Sequence, residues 1–358
     1  MQRGKWVGGL ACAVAIVLVV DLMALMAHAG TRVDRPMVAS ATELAARVRP
    51  TSPTPVAPAP PPTTQPAPPP AEPAPPPTTV PPTTTVASAR PGAWTLGPYQ
   101  GVGVWLDVYD WTNEITGGNP SVQVADIDRM ADLGIQTLYI QTAHRKSAAD
   151  VIEPERLLPL IDQAHARGMA VVAWYLPTLE DVPTDLRRLV AAAQLPVDGL
   201  GVDIESLAVA DPAERTRRLL ELSTALRQAV GARAISAITP SAVHLQVVNP
   251  GFWPGFPWAE LGATYDAIVP MSYWSVRKPA WRIAHVYVGE NIDRIRAATG
   301  RPDMPIHVAG GIADGISLED VHGMIHAIQS RGILGGSLYD WNTSQIPQWD
   351  LLRALRVG

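Results

Sequence analysis

From about residue 99 the chain alternates two hydrophobic patterns: short β-branched runs, and longer windows in which apolar positions recur every three or four residues. The short runs are Val102–Val108, Gln136–Thr142, Ala170–Leu176, Gly199–Glu205, Ala234–Thr239, Ala267–Tyr273, Ile306–Ala309 and Gly335–Trp341. Amphipathic windows follow at Val122–Leu133, Glu155–Arg167, Thr184–Ala193, Pro212–Val230, Asn291–Thr299, Leu318–Arg331 and Pro347–Arg356. After the fifth run the chain is rich in Pro, Gly and aromatics (Pro250-Gly251-Phe252-Trp253-Pro254-Gly255-Phe256-Pro257-Trp258), which reads as a long loop with Trp253 and Trp258 packing it down.

Strand followed by helix, repeated eight times in roughly 260 residues, predicts an α/β fold of the (β/α)8 TIM barrel type, whose active site lies at the C-terminal ends of the strands. Side chains alternate along a strand, so in Asp198-Gly199-Leu200-Gly201-Val202-Asp203-Ile204-Glu205 the residues Gly201, Asp203 and Glu205 share the inward face. Leu200, Val202 and Ile204 then face the helices. Two acids so close raise the pKa of the less solvated one, which is what a general acid needs. The competing explanation of any one strand-end acid is a helix cap or an Arg partner. Other strand ends carry Asp107, Gln141, Trp174, Tyr175, Met271, Tyr273, Trp274 and Trp341. Flat rings beside carboxylates and amides suit sugars, which have apolar faces edged with hydroxyls.

The first 97 residues follow different rules. Arg3 and Lys5 precede the apolar run Val7–Val20, Asp21 interrupts it, and Ala27-His28-Ala29 has the form of a signal-peptidase site. The run is short for a bilayer span, which takes about 20 residues. Residues 1–29 are therefore expected to be an export signal, or a membrane anchor, giving a secreted or surface-tethered protein. Half of the chain's 36 prolines fall between Pro50 and Pro91. Residues 30–97 are expected to be a disordered Pro/Thr-rich linker, which at ~3.1 Å per residue reaches on the order of 130 Å. Residues 98–358 are expected to be the barrel domain.

A net charge of −5 with no basic block in the barrel excludes nucleic acid as the expected partner. The single cysteine, Cys12, lies in the apolar run, so the folded part has no disulfide and no cysteine nucleophile. The eight histidines make no pair at metal-ligand spacing, and neither a metal nor any other cofactor is expected; His144 and His307 fall near strand ends. A monomer acting on a polysaccharide is the expected state.

Asp198-Gly-Leu-Gly201-Val-Asp203-Ile-Glu205 resembles the Asp-Gly-x-Asp-x-Asp-x-Glu signature of family 18 glycoside hydrolases, the chitinase-like enzymes, with Gly201 where the middle Asp stands. Met271-Ser-Tyr273-Trp274 resembles that family's Met-x-Tyr-Asp on strand six, with Trp274 in place of its Asp. Gly335-Gly-Ser-Leu-Tyr-Asp-Trp341 resembles its eighth strand. The resemblance implies Glu205 as general acid, Asp203 as orienter of a substrate acetamido group, Tyr273 as that group's contact and Trp341 as the floor of the sugar site. Leu106-Asp107-Val-Tyr-Asp-Trp111 with Asp203-Ile-Glu205 is similar, less closely, to the lysozyme-like family 25. The implied substrates are chitin-like glycan and peptidoglycan respectively. Two other readings stay open: a glycan-binding barrel without catalysis, given Gly201 and Trp274, and a phosphate-binding barrel, given His307-Val-Ala-Gly310-Gly311 and Gly335-Gly336-Ser337.

Overall fold

The computed structural model describes residues 95–358. The expected export segment, and the linker up to residue 94, lie outside them. Eight parallel strands close into a barrel in sequence order: β1 Gly101–Leu106, β2 Thr137–Gln141, β3 Ala170–Tyr175, β4 Gly199–Asp203, β5 Ile235–Pro240, β6 Ala267–Ser272, β7 His307–Gly310 and β8 Gly335–Leu338, with β8 pairing back onto β1. A principal helix follows each strand: α1 Val124–Asp132, α2 Pro154–Ala166, α3 Val182–Ala192, α4 Pro212–Val230, α5 Trp258–Thr264, α6 Ala284–Thr299, α7 Leu318–Ser330 and α8 Ile346–Leu352. The fold is the (β/α)8 barrel that the hydrophobic pattern predicts. Among the described residues no helix is long and apolar enough to cross a membrane.

Strand alternation sorts the core into two layers. Leu138, Ile140, Val171, Ala173, Leu200, Val202 and Ile235 are buried beneath the helices, whose apolar stripes supply Ile127, Met130, Leu160, Ile161, Leu189, Leu219, Leu222 and Leu226. The opposite strand faces meet on the barrel axis. There Trp105 stacks on Tyr139 with ring centroids 4.4 Å apart, Tyr139 lies 5.3 Å from His307, and Trp174 meets Trp105 edge-on at 5.9 Å. Rings this large fit because Gly103 leaves space: a Cβ there would lie 2.6 Å from the Tyr139 ring. The lower end is closed by Tyr99, whose hydroxyl donates to Leu200 O (3.0 Å) and accepts from Leu200 N (3.1 Å). His307 Nδ1 donates to Tyr99 O at 2.9 Å, and its Nε2 meets Ser337 Oγ at 3.0 Å.

Two expectations about elements need correction. The stretch after β5 is not wholly a loop: a π-helical turn, His244–Val248, precedes the seven-residue helix α5, too short to show a 3.6-residue period. Helix α6 starts at Ala284 rather than Asn291, because its buried stripe (Ala284, Tyr287, Val288, Asn291, Ile292, Ile295) includes an aromatic and an amide that a purely aliphatic pattern misses. Strands β1 to β4, β6 and β8 also stop one to three residues short of the expected ends, while β5 and β7 run one residue past them. Asp107, Glu205, Tyr273 and Trp341 consequently lie on the loops just beyond β1, β4, β6 and β8.

Candidate active site

β4 ends at Asp203, yet Ile204 N still bonds to Ile238 O of β5 at 2.8 Å, so the inward parity carries on past the strand. Gly201 faces the axis, since a Cβ on it would lie 2.8 Å from Ile238 Cδ1 and 3.3 Å from Ser236 Oγ. Asp203 sits one step higher, 6 % exposed, and Glu205 is half-buried above it at the mouth. Burial, and then the neighbouring Glu205 charge, push the Asp203 carboxyl well above the ordinary carboxylate range. Its Oδ1 is buried with no hydrogen-bond partner among the protein atoms.

Tyr273 follows β6 and comes close to the same acids: burial, and then the charges of Glu205, Asp203, Asp340 and Asp107, raise its hydroxyl pKa far above the ordinary tyrosine value. Met271, two residues back on the same face, is buried and pairs in register with Pro240 and Ala309. Trp174 is level with Gly201 in the β3–β4 register, with its Nε1 buried and lacking a protein partner. Asp203, Glu205, Tyr273, Trp174 and Met271 are thus gathered at the C-terminal end of the barrel.

Asp107 and Gln141 stand beside this group, held by local bonds. Asp107 caps the helical turn Val108–Trp111: Tyr109 N donates to its Oδ1 at 2.7 Å and Tyr339 Oη to its Oδ2 at 2.8 Å. Gln141 Oε1 accepts from Val108 N at 3.1 Å, which ties the end of β2 to the loop after β1.

Trp341 is placed elsewhere. Its ring lies 6.3 Å from Trp349 on α8 and beneath the Arg129 guanidinium of α1 at 5.8 Å, among the flanking helices. The β8 ring that faces the acids is Tyr339, 5.9 Å from Tyr273 and 6.4 Å from Trp105. Parity offered the signal: Gly335, Ser337 and Tyr339 share a face, and the backbone beyond Leu338 leaves the strand. Asp198, which opens the strand-four motif, lies at the far end of β4. It accepts from Val171 N (2.8 Å) and bonds His165 Nε2 (2.9 Å), a clamp at the foot of the barrel.

Two sequence features prove to be packing. A Cβ at Gly310 would lie 2.2 Å from Met324 Sδ, one at Gly335 2.1 Å from Gly101 O, and one at Gly336 2.5 Å from Ile328 Cδ1. These glycines admit neighbours instead of cradling a phosphate, and His307 is fully buried below the mouth. Trp274, in place of the family's Asp, is 1 % exposed and packs toward Gly310.

The loops after β1 and β8 assemble something that linear spacing does not reveal. Asp107, Asp110 and Asp340, all buried, each bring a carboxylate oxygen within 4.8 Å of the others. Oxygen donors in that number suit a hard divalent cation. Hydrogen bonds already engage them: Asp110 accepts from Asp107 N (2.7 Å) and from Asn342 Nδ2, and Asp340 from Thr343 N (2.9 Å).

No known sequence family matches the chain, and neither does any curated protein sequence. Solved structures do resemble it in fold. The spore cortex-lytic enzyme SleL of Bacillus cereus superposes with a TM-score of 0.53 at 10 % identity, covering 72 % of this chain and 74 % of that one. The PgaB (BpsB) glycoside hydrolase domain of Bordetella bronchiseptica gives 0.50 at 15 %, over 72 % and 99 %. A GH18 chitinase of Pseudoalteromonas aurantia gives 0.50 at 14 %, over 70 % and 97 %. The chain therefore shares the TIM-barrel fold found in these glycoside hydrolases.

Proposed function

We propose that this protein is an extracytoplasmic glycoside hydrolase acting on a polysaccharide with N-acetylated sugars, chitin-like or peptidoglycan. The observation that carries the reading is the carboxyl pair of buried Asp203 and half-buried Glu205 at the strand-four end of the mouth, with Tyr273 beside both acids. Asp203, the less solvated acid, holds the pair's proton at rest, and Glu205, nearer to solvent, delivers it to the departing glycosidic oxygen. Asp203, whose Oδ1 has no protein partner, accepts the substrate's acetamido N–H and orients that group's carbonyl oxygen onto the anomeric carbon. Glu205 then takes a proton from the water that opens the cyclic intermediate, so the anomeric configuration is retained. Tyr273 and Tyr339 supply ring faces and hydroxyls to the sugar. Asp107, bonded at both oxygens, positions Tyr339. The export segment expected from Arg3, Lys5 and the apolar run Val7–Val20, and the likeness in fold to a spore cortex-lytic enzyme, support the location.

Gly201 favours a second reading, a barrel that binds glycan without cutting it, because Ile238 fills the space where another acid would assist Asp203. One experiment decides between them. The chain is incubated with chitin oligomers, peptidoglycan and bacterial polysaccharides, and released sugars are measured. On a substrate that is cut, Glu205→Gln is expected to lower turnover by roughly 10²–10⁴ with little change in affinity, since a general acid acts mainly in the transition state. Full activity in that variant removes Glu205 from the mechanism; binding without release by the native chain selects the second reading.

A further inference from the structure

The loops after β2 and β3 and the first turns of α3 form an open cavity of about 500 Å³, lined by the cations Arg145, Lys146 and Arg188 and the acids Glu180, Asp181 and Asp185. That volume is in the range of small-molecule sites. It adjoins the acidic cleft on both flanks. Lys146 Nζ donates to Tyr109 Oη at 3.3 Å, two residues past Asp107, and Ser206 Oγ, next to Glu205, donates to Thr178 O at 3.4 Å.

The cavity's acids are engaged with protein donors. Asp185 accepts from Tyr175 Oη (2.7 Å), Leu179 N (2.8 Å) and Thr178 N (3.4 Å), and burial raises its pKa. Asp181 caps α3 through Thr184 N (3.2 Å) and Thr184 Oγ1 (2.7 Å). Glu180 is exposed at the rim. The hydrogen bonds of two cations, by contrast, go to neutral oxygens. Arg188, 7 % exposed, donates to Tyr175 Oη (2.8 Å) and Ser147 O (2.7 Å), and its Nε is buried without a partner. Lys146 meets the hydroxyl and, at 5.7 Å, the ring of Tyr109. Asp185 and Asp181 lie near enough to the Arg188 charge for it to lower their pKa values, but neither accepts a hydrogen bond from it, so an anion in the adjoining space supplies charge-assisted bonds that both cations lack.

We propose that this cavity is a subsite for an acidic substituent of the glycan, a carboxylate or a phosphate, seated beside the bond to be cut. The inference rests on the glycosidase reading for its substrate, and names the class of polysaccharide as anionic. Lys146, exposed at the rim, makes the first charge-assisted contact, and Arg188 supplies fixed positive charge at the cavity wall.

The test uses the full chain carrying Glu205→Gln, with and without Lys146→Ala, titrated calorimetrically at low salt. The probes are a chitin hexamer, a hyaluronan hexamer of alternating glucuronate and N-acetylglucosamine, and inorganic phosphate. The hyaluronan hexamer is expected to bind about tenfold more tightly than the chitin hexamer, and Lys146→Ala to erase that advantage while leaving chitin affinity unchanged. Added salt should erase it as well. If hyaluronan gains nothing but phosphate binds and is lost in Lys146→Ala, the subsite stands with phosphate as its ligand. Insensitivity of both anions to Lys146→Ala overturns the subsite, and leaves the glycosidase reading intact if the native chain cuts a glycan. Loss of all oligomer binding and cleavage, with Lys146-dependent phosphate binding retained, sinks the glycosidase reading and keeps the anion site.

Discussion

At the scale of single residues, the site is defined by how unequally two neighbouring carboxyls are solvated. Asp203 is 6 % exposed and its Oδ1 lacks a protein donor, while Glu205 reaches the mouth. Burial, and then the Glu205 charge, raise the Asp203 pKa above its unfolded value. The stability Asp203 contributes is therefore fully present below about pH 4 and is lost as pH rises through its folded pKa. Asp203→Asn removes that loss. Thermal unfolding of the variant should accordingly show a smaller fall in Tm between pH 4 and pH 8 than the native chain, together with reduced turnover on any substrate that is cut. Equal pH slopes for the two proteins would mean that Asp203 is charged in the fold. Both acids were legible from strand parity in the sequence. Which of them is the more buried was not, because that depends on where β4 ends and on Ile238 from the next strand.

At the scale of elements, β4 and β5 fit together because Gly201 has no side chain. A Cβ there would sit 2.8 Å from Ile238 Cδ1, the far end of a flexible side chain, and 3.4 Å from Ile238 Cγ1. Gly201→Ala should lower stability by about 1–3 kcal/mol through overpacking. Ile238→Val removes the crowding methyl, so the double variant should recover most of the loss in urea unfolding; strict additivity of the two changes would place the strain elsewhere. The pairing of strands is reinforced at the foot of the barrel by one repeated device. Asp198 before β4 holds Val171 N of β3, and Asp266 before β6 holds Ile235 N of β5, each clamped in turn by His165 or Arg227. Asp198 also opens the strand-four motif that resembles a catalytic signature. Both acids lie at the other end of the strands, a full strand length from the mouth.

For the molecule as a whole, closure depends on Tyr99, which precedes β1 yet reaches across the axis to the backbone of β4 and β5. Its hydroxyl touches Leu200 N, Leu200 O and Ala234 O, and its own carbonyl accepts from His307 of β7. Tyr99→Phe leaves those buried groups short of a partner and should cost about 1–3 kcal/mol. Chemical unfolding measures it directly, and an unchanged midpoint would show that the plug is dispensable. The mouth at the opposite end is acidic through Asp107, Asp110, Asp203, Glu205 and Asp340, and on one flank the cations Lys146 and Arg188 stand among Glu180, Asp181 and Asp185. The presence of cations, absent from the group of acids at the mouth, distinguishes the cavity beside the cleft from the cleft itself.

The sequence alone determined the barrel, because eight alternations of period-two and period-3.6 patterns leave few other ways to bury every apolar face, and it determined that Asp203 points inward, because parity is local. Only the tertiary structure decided what meets across the axis. Tyr339 rather than Trp341 faces Tyr273, since the chain leaves the strand after Leu338 and sends Trp341 to α1 and α8. Asp107, Asp110 and Asp340 converge from the two ends of the domain, and Lys146 and Arg188 from different βα units. Such contacts join residues far apart in the chain, whose distance is fixed by strand register and loop path, and neither quantity is written in hydrophobic periodicity.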